Sequence, residues 1–115
     1  MGRTVLVVDD EPTVLDATAS MLEDLGCEVV TATNGADALA ELEADQRIEL
    51  LMTDVNMPGM SGYELAEKAI KSRKNLQVIV FSGGKTDGHG FPLIRKPFVQ
   101  ADLRREMQRT LGGLC

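Results

Sequence analysis

The sequence predicts a doubly wound α/β domain, and three observations carry that prediction. Short, β-branched apolar runs alternate with segments whose apolar residues recur every three or four positions. The connections between these segments are short. The runs also end in chemically able side chains: Asp9 and Asp10 after the first, Asp54 after the third, Ser82 after the fourth and Lys96 after the last.

Thr4-Val5-Leu6-Val7-Val8 is continuous and apolar, as expected of a central parallel strand covered on both faces. Pro12 suits the first turn of a helix, where its missing N–H costs nothing. Val14, Leu15, Thr18, Met21, Leu22 and Leu25 give that helix its buried stripe, and Gly26 ends it. Residues 27–32 read as a second strand. Asn34-Gly35 opens a helix with Ala38, Leu39 and Leu42 on its apolar side. Ile48 to Thr53 is the third strand, and Met57-Pro58-Gly59-Met60 is a loop. Ser61, with Glu64 three residues on, predicts a capping box for a helix running from Gly62 to about Lys74. Leu76 to Phe81 forms the fourth strand, and Leu93 to Arg95 belongs to a fifth. The final helix presents Leu103, Met107 and Leu111.

A length of 115 residues predicts one domain over 1–115 with its own core. The chain stops just after the final helix, so no output domain is expected. With no tryptophan, one tyrosine and three phenylalanines, the core must be aliphatic. The formal net charge of -6 argues against a nucleic-acid surface, which displays clustered Lys and Arg. The basic run Lys68, Lys71, Arg73 and Lys74 is better explained by solvation and by complementing a helix C-terminus than by a partner. No apolar run reaches membrane-spanning length, and none reads as a signal peptide. Cys27 and Cys115 have no motif partners, which points to reduced thiols and a cytoplasmic setting.

Open α/β sheets place their sites beyond the carboxyl ends of the strands. If the apolar runs are neighbouring parallel strands, Asp9, Asp10 and Asp54 meet there. They repel one another and lose hydration unless a cation joins them. Hard oxygen ligands in a small site suit Mg²⁺, which keeps several waters and binds readily beside phosphate. Phosphoryl transfer to a carboxylate requires an attacking oxygen in line and cations on the equatorial oxygens. Lys96 and Mg²⁺ are those cations, and Ser82 can donate a hydrogen bond to the transferred group. Each residue alone has a plainer reading: a solvated loop for Asp9-Asp10, a turn for Asp54 or Ser82, a surface lysine for Lys96. Those readings do not explain why each group ends a different strand on the same side.

Val7-Val8-Asp9-Asp10-Glu11-Pro12, Asp54-Val55-Asn56-Met57-Pro58-Gly59-Met60-Ser61-Gly62 and Lys96-Pro97-Phe98 together resemble the response-regulator receiver domain of bacterial two-component signalling. The likeness covers essentially the whole chain. It implies a (βα)5 flavodoxin-like fold with parallel sheet order 2-1-3-4-5. It implies Asp54 as phosphoacceptor, Asp10 as a direct Mg²⁺ ligand, Asp9 acting mostly through water, and the Asn56 backbone carbonyl as a further ligand, with Mn²⁺ an alternative ion. Lys96 would bind the phosphoryl group, with a cis bond to Pro97. The donor would be a phosphohistidine on a sensor histidine kinase or histidine phosphotransfer protein. The domain would promote its own phosphorylation and dephosphorylation without being an enzyme in the usual sense, as a monomer or weak dimer.

The chain departs from that pattern between Ser82 and Lys96. The interval reads Gly-Gly-Lys-Thr-Asp-Gly-His-Gly-Phe-Pro-Leu-Ile-Arg, and the fifth strand takes its last three residues. Four glycines in the remaining ten cost a helix about 1 kcal/mol each. The fourth helix is therefore expected to be absent or reduced to a mobile loop or single turn. Leu93 stands where receivers usually carry the aromatic switch residue, and Phe91 is displaced from that place by two residues. Gly83 leaves the phosphoryl site more open than the alanine common there. His89, between two glycines, is expected neither to transfer phosphate nor to bind metal; Tyr63 is expected to be a partly buried packing residue, and Met21 and Met107 to fill the core. The function expected is a phosphorelay or phosphate-sink receiver. The alternative is an interaction module that docks through its first helix, with or without phosphorylation; a degenerate receiver is disfavoured by Asp9, Asp10, Asp54 and Lys96.

Overall fold

The structure, a computed structural model, describes residues 2–114. It contains β1 (Thr4–Val8), α1 (Pro12–Asp24), β2 (Glu28–Ala32), α2 (Gly35–Ala44), β3 (Ile48–Asp54), α3 (Gly62–Ser72), β4 (Gln77–Ser82), β5 (Leu93–Arg95) and α4 (Gln100–Leu111). The five strands form one sheet in the order β2-β1-β3-β4-β5, with every pairing parallel. Sequence and structure agree on this order. Strand ends differ from the expected bounds by one residue, and α3 stops two residues early, at Ser72.

The alternation along the strands sorts the core into two layers. Leu6 and Val8, Leu51, and Val78 and Val80 face α2 and α3, meeting Ala38, Leu42, Leu65, Ala66 and Ala69. Val5 and Val7, Leu50 and Met52, and Ile79 and Phe81 face the other way, onto Leu15, Leu22, Leu103 and Met107 from α1 and α4. A strand stretch covered on both faces is apolar at successive positions, as Val5–Val8 in β1, Leu50–Met52 in β3 and Val78–Phe81 in β4 are. Each fully buried Leu, Ile or Phe contributes about 1.5–3 kcal/mol of transfer free energy. The two layers therefore hold the strand ends in fixed relation.

The helix ends follow local chemistry. Gly26, at φ 92°, turns the chain out of α1 in a conformation costly for other residues. The Asn34 side chain accepts from the Asp37 N–H at 2.8 Å to cap α2. Ser61 Oγ accepts from the Glu64 N–H at 3.2 Å, which supplies the Ser61 half of the expected capping box.

The interval between β4 and β5 holds no multi-turn helix. It carries one tight turn over Gly88–Gly90, in which Gly88, His89 and Gly90 all have positive φ (80°, 51° and 88°). Three successive left-handed residues cannot extend a right-handed helix. The final helix α4 thus occupies the place of the fold's usual fifth.

Two expectations need correction. Arg73 is not simply a solvated end of the basic run. Its guanidinium donates to the carbonyls of Leu42 (2.9 Å), Asp45 (3.3 Å), Gln46 (3.1 Å) and Ile48, clamping the α2–β3 connection to the end of α3. Cys27 is buried and disulfide-bonded, not a reduced thiol; Cys115 lies outside the described residues. The sequence gives no local sign of this. No helix among the described residues is long and apolar enough to cross a membrane.

Candidate functional site

The sheet brings together the residues expected at its carboxyl edge. Asp9 follows β1 directly, Asp54 closes β3, Ser82 closes β4, and Lys96 follows β5. Strand register sets their depth: Asp54 pairs with Phe81, so Ser82 stands one residue beyond it, and Ser82 pairs with Arg95, so Lys96 comes next. The Lys96 N–H donates to the Ser82 carbonyl at 2.9 Å, which fixes the last strand to the site.

Asp9 and Asp54 are buried, and Asp10 is exposed. Asp9 is held from two sides. Its Oδ1 accepts from the Glu11 N–H at 3.0 Å, and its Oδ2 accepts from Lys96 Nζ at 2.9 Å. The same ammonium lies 3.2 Å from Asp54 Oδ1, so Lys96 bridges the two buried acids. Carboxylate oxygens of Asp9, Asp10 and Asp54 all lie within 4.8 Å of one another. Three carboxylates, two of them buried, against one ammonium leave an excess of negative charge. That donor set can coordinate a divalent cation, whose charge offsets the excess.

The electrostatics carry the same strain. Burial pushes the Asp54 carboxyl above its ordinary value; Lys96 pulls it back, and Asp9 and Asp10 push it further up. For Lys96, burial is the largest single influence and lowers it. Asp9 and Asp54 together outweigh that, so the ammonium is held above its ordinary value and stays charged.

The loop after β3 returns the chain tightly to α3. The Val55 N–H donates to the Phe81 carbonyl at 3.0 Å, and the Gly62 N–H donates to the Val55 carbonyl at 2.9 Å. Gly62 is required here, since a Cβ would sit 2.1 Å from the Asp54 carbonyl oxygen. Asn56, expected to offer its backbone carbonyl, lies exposed in this loop. The Lys96-Pro97 peptide is cis, as expected. Ser82 is buried, and its Oγ accepts from the Gly84 N–H at 3.0 Å. A Cβ on Gly83 would touch only the Lys96 Cβ, at 3.9 Å, so the mouth of the site is open on that side.

Sequence reasoning missed what surrounds the short β4–β5 segment. The Tyr63 ring stacks on the His89 imidazole with centroids 3.8 Å apart and planes 3° from parallel. Its hydroxyl pairs with Thr86 Oγ1. Arg95 donates to the carbonyls of Gly84 and Thr86, both at 2.9 Å. The one signal in the sequence was positional: Tyr63 opens α3 at the same end of the sheet as the glycine-rich segment. Phe91 and Leu93 pack against the α2–α3 core layer.

Known proteins share this fold. The model for the response regulator receiver domain matches residues 5–108. The CAI-1 autoinducer sensor kinase/phosphatase CqsS of Vibrio cholerae is 37% identical over 84 residues, which is 70% of this chain but 12% of that protein. This chain thus spans a small part of that relative's length. Among solved structures, the receiver domain of the hybrid histidine kinase CckA is 33% identical, with a TM-score of 0.81 over 92% of this chain and 96% of that one. The response regulator TrrA of Thermotoga maritima, solved with Mg²⁺-BeF, is 27% identical, with a TM-score of 0.84 over 93% and 97%. Sheet order, the three acids with Lys96, and the family match from β1 into α4 agree with one another: the chain belongs to the response regulator receiver domain family.

Proposed function

We propose that Asp54 accepts a phosphoryl group from a phosphohistidine, in a reaction supported by Mg²⁺, and that the domain serves a phosphorelay or acts as a phosphate sink. The observation that carries this reading is the Lys96 bridge between the buried Asp9 and Asp54, with Asp10 within 4.8 Å. An oxygen of Asp54 attacks phosphorus as the bond from phosphorus to the donor imidazole nitrogen breaks. The nitrogen leaves with the electron pair, and the product is an acyl phosphate. Lys96 holds the charge that gathers on the equatorial oxygens, and the Ser82 hydroxyl donates to one of them.

Asp10, Asp9, Asp54 and the Asn56 carbonyl are the groups that would hold Mg²⁺, with Mn²⁺ the alternative. When bound, the ion neutralises charge on the phosphoryl oxygens. The likeness to TrrA, whose structure holds Mg²⁺-BeF, supports this choice of ion. The relatives CqsS and CckA, a sensor kinase and a hybrid histidine kinase, support a histidine kinase or phosphotransfer protein as partner. A histidine kinase takes its phosphoryl group from ATP, which favours a cytoplasmic setting. The docking face has a physical basis beside the site. A groove of about 400 Å³ lies between α1 and the segment after β5, lined by Val14, Ala17, Met21, Lys96, Pro97 and Phe98. Val99, just beyond it, is 62% exposed. A partner helix with an apolar stripe fits such a groove, and Lys96 belongs to both groove and site.

The test is phosphotransfer from a phosphorylated histidine phosphotransfer protein, followed by intact-protein mass. The wild type is expected to gain one acid-stable, base-labile phosphoryl group in Mg²⁺, and Asp54→Asn none. Label on Asp54→Asn equal to that on the wild type would place the acceptor elsewhere. A pathway that still signals with Asp54→Asn would favour the interaction-module reading.

A further inference from the structure

The loop after β3 is closed at its neck, where the Gly62 N–H meets the Val55 carbonyl at 2.9 Å. Between those residues stand two long apolar side chains. Met57 is buried and Met60 partly so, and both pack into the α2–α3 core layer. Asn56, Pro58 and Gly59 are exposed. The neck and the two methionines thus set the path of residues 56–60 over the site. Met60 reaches the start of α2, where it lies on Gly35. A Cβ at Gly35 would sit 2.6 Å from Met60 Sδ, 3.0 Å from its Cβ and 3.2 Å from its Cγ. The sulfur ends a flexible side chain and can swing aside, but the Met60 Cβ moves only with its backbone. Gly35 does not have a positive φ, so its backbone conformation makes no demand for glycine. Alanine is also the better helix former. Space for Met60 is the remaining reason for a glycine at this position.

We propose that Gly35 and Met60 are positioning residues for the cation site: the missing side chain of Gly35 admits Met60, and the seated Met60 holds the loop that carries the Asn56 carbonyl. The inference rests on the reading of that carbonyl as a Mg²⁺ ligand. Mg²⁺ demands nearly ideal octahedral geometry at about 2.0–2.1 Å, whereas Ca²⁺ accepts a variable set of oxygens over a wider range of distances. Asp9 and Asp54 are held by Lys96, and Asp54 also by the pairing of β3 with β4. A shift of the loop therefore moves one ligand against a fixed remainder. A displacement of a few tenths of an ångström is costly for Mg²⁺ and slight for Ca²⁺. Gly35 brings no side chain to the ion, so its effect on affinity passes through Met60.

The test is an amide NMR titration of the full chain with MgCl₂ and, separately, CaCl₂. It compares the wild type, Gly35→Ala, Met60→Ala and the double variant, with urea unfolding in chelator to show that each is folded. Gly35→Ala is expected to raise the Mg²⁺ Kd about tenfold, the lower end for a group that orients a metal ligand, and the Ca²⁺ Kd by less than about twofold. Met60→Ala, which frees the loop, is expected to lose Mg²⁺ affinity with the same bias. Adding Gly35→Ala to it should change nothing further, because the contact is already gone. If Gly35→Ala does not fold, Met60→Ala, which only removes atoms, carries the same comparison of ions. An unchanged Mg²⁺ Kd in either folded single variant overturns the inference and leaves the reading of the metal ligands standing. Equal weakening of both ions assigns the effect to general loosening and overturns the inference too. So does an undiminished effect of Gly35→Ala in the Met60→Ala background, which places the clash elsewhere. A wild type that binds no Mg²⁺ overturns the reading of the metal ligands, and the inference with it.

Discussion

Replacing Asp54 by asparagine is expected to stabilise the metal-free domain while abolishing its function. The magnitude follows from the site. Unit charges 4.8 Å apart, the outer limit among the three acids, repel by about 3.5 kcal/mol at an effective dielectric of about 20. Asp9 is buried and exerts that in full; exposed Asp10 is screened to about half. Lys96, 3.2 Å from Asp54, returns about 5 kcal/mol. Attraction and repulsion therefore nearly cancel, and the loss of hydration of the Asp54 carboxylate remains. The raised position of Asp54, with burial as its first cause, has the same sign. Asparagine keeps the shape, presents a carbonyl oxygen to Lys96, and removes the charge. Lys96 retains Asp9 at 2.9 Å.

The expected gain is about 1–2 kcal/mol, which at a urea slope of about 1–1.5 kcal/mol/M moves the midpoint up by about 1 M. The assay is urea unfolding at neutral pH with a chelator present. A group whose folded pKa lies above its unfolded value costs nothing below the unfolded value, about 3.9 for Asp, and its full penalty appears above the folded one. The advantage of Asp54→Asn should therefore shrink as pH falls toward 4. Saturating Mg²⁺ should reverse the order, since a ligand at about 100 times its Kd adds about 2.7 kcal/mol to the protein that binds it, and the variant lacks one ligand. A variant less stable than the wild type in chelator would refute the reasoning, because the Lys96–Asp54 attraction would then exceed desolvation and repulsion together.

Arg73→Met removes the donors to four carbonyls of the α2–β3 connection, and a loss of about 2–3 kcal/mol in urea unfolding is expected, discounted for the solvent-facing part of the clamp. Gly62→Ala forces a Cβ against the Asp54 carbonyl oxygen; overpacking of backbone costs about 1–3 kcal/mol, and the phosphotransfer rate should fall with it because Asp54 itself must shift. Ser61→Ala loses only the cap on the Glu64 N–H, so about 1 kcal/mol of stability should go while phosphoryl uptake per folded molecule stays level. Met107→Ala opens a cavity in the α1–α4 layer that Met107 shares with Phe81 and Leu103, with an expected cost of about 2–5 kcal/mol by thermal or urea unfolding.

The fold was legible because the core is periodic. An unbroken β-branched run has one stable placement in a doubly wound sheet, and the side chain that ends it must then stand at the sheet's carboxyl edge. Asp9, Asp10, Asp54, Ser82 and Lys96 were readable for that reason. Their division of labour was less so. Nothing in Asp9-Asp10 says which acid is buried under Lys96; the pairing of β1 with β3 and the path of the chain after β5 decide it. Arg73 looked like one member of a basic run, since a guanidinium facing four carbonyls more than twenty residues away has no local pattern. The stack of Tyr63 on His89 was illegible for the same reason: the two are separated in sequence, and only the shortness of the segment between His89 and Ser82 makes them neighbours.

That shortness also bears on how the site communicates. In a receiver with a full fourth helix, a change at the end of β4 must be carried by a helix packed on the core, and dense packing resists partial movement. Here the end of β4 leads into ten residues with four glycines, stitched to their surroundings by side chains from α3 and β5. Such a segment yields locally, because few apolar contacts hold it and its backbone bonds are near water. The same glycines that forbid the helix let Gly88 and Gly90 flank His89 in left-handed turns, which is what lays the imidazole flat on Tyr63. Losing the helix and gaining the stack are thus one structural event.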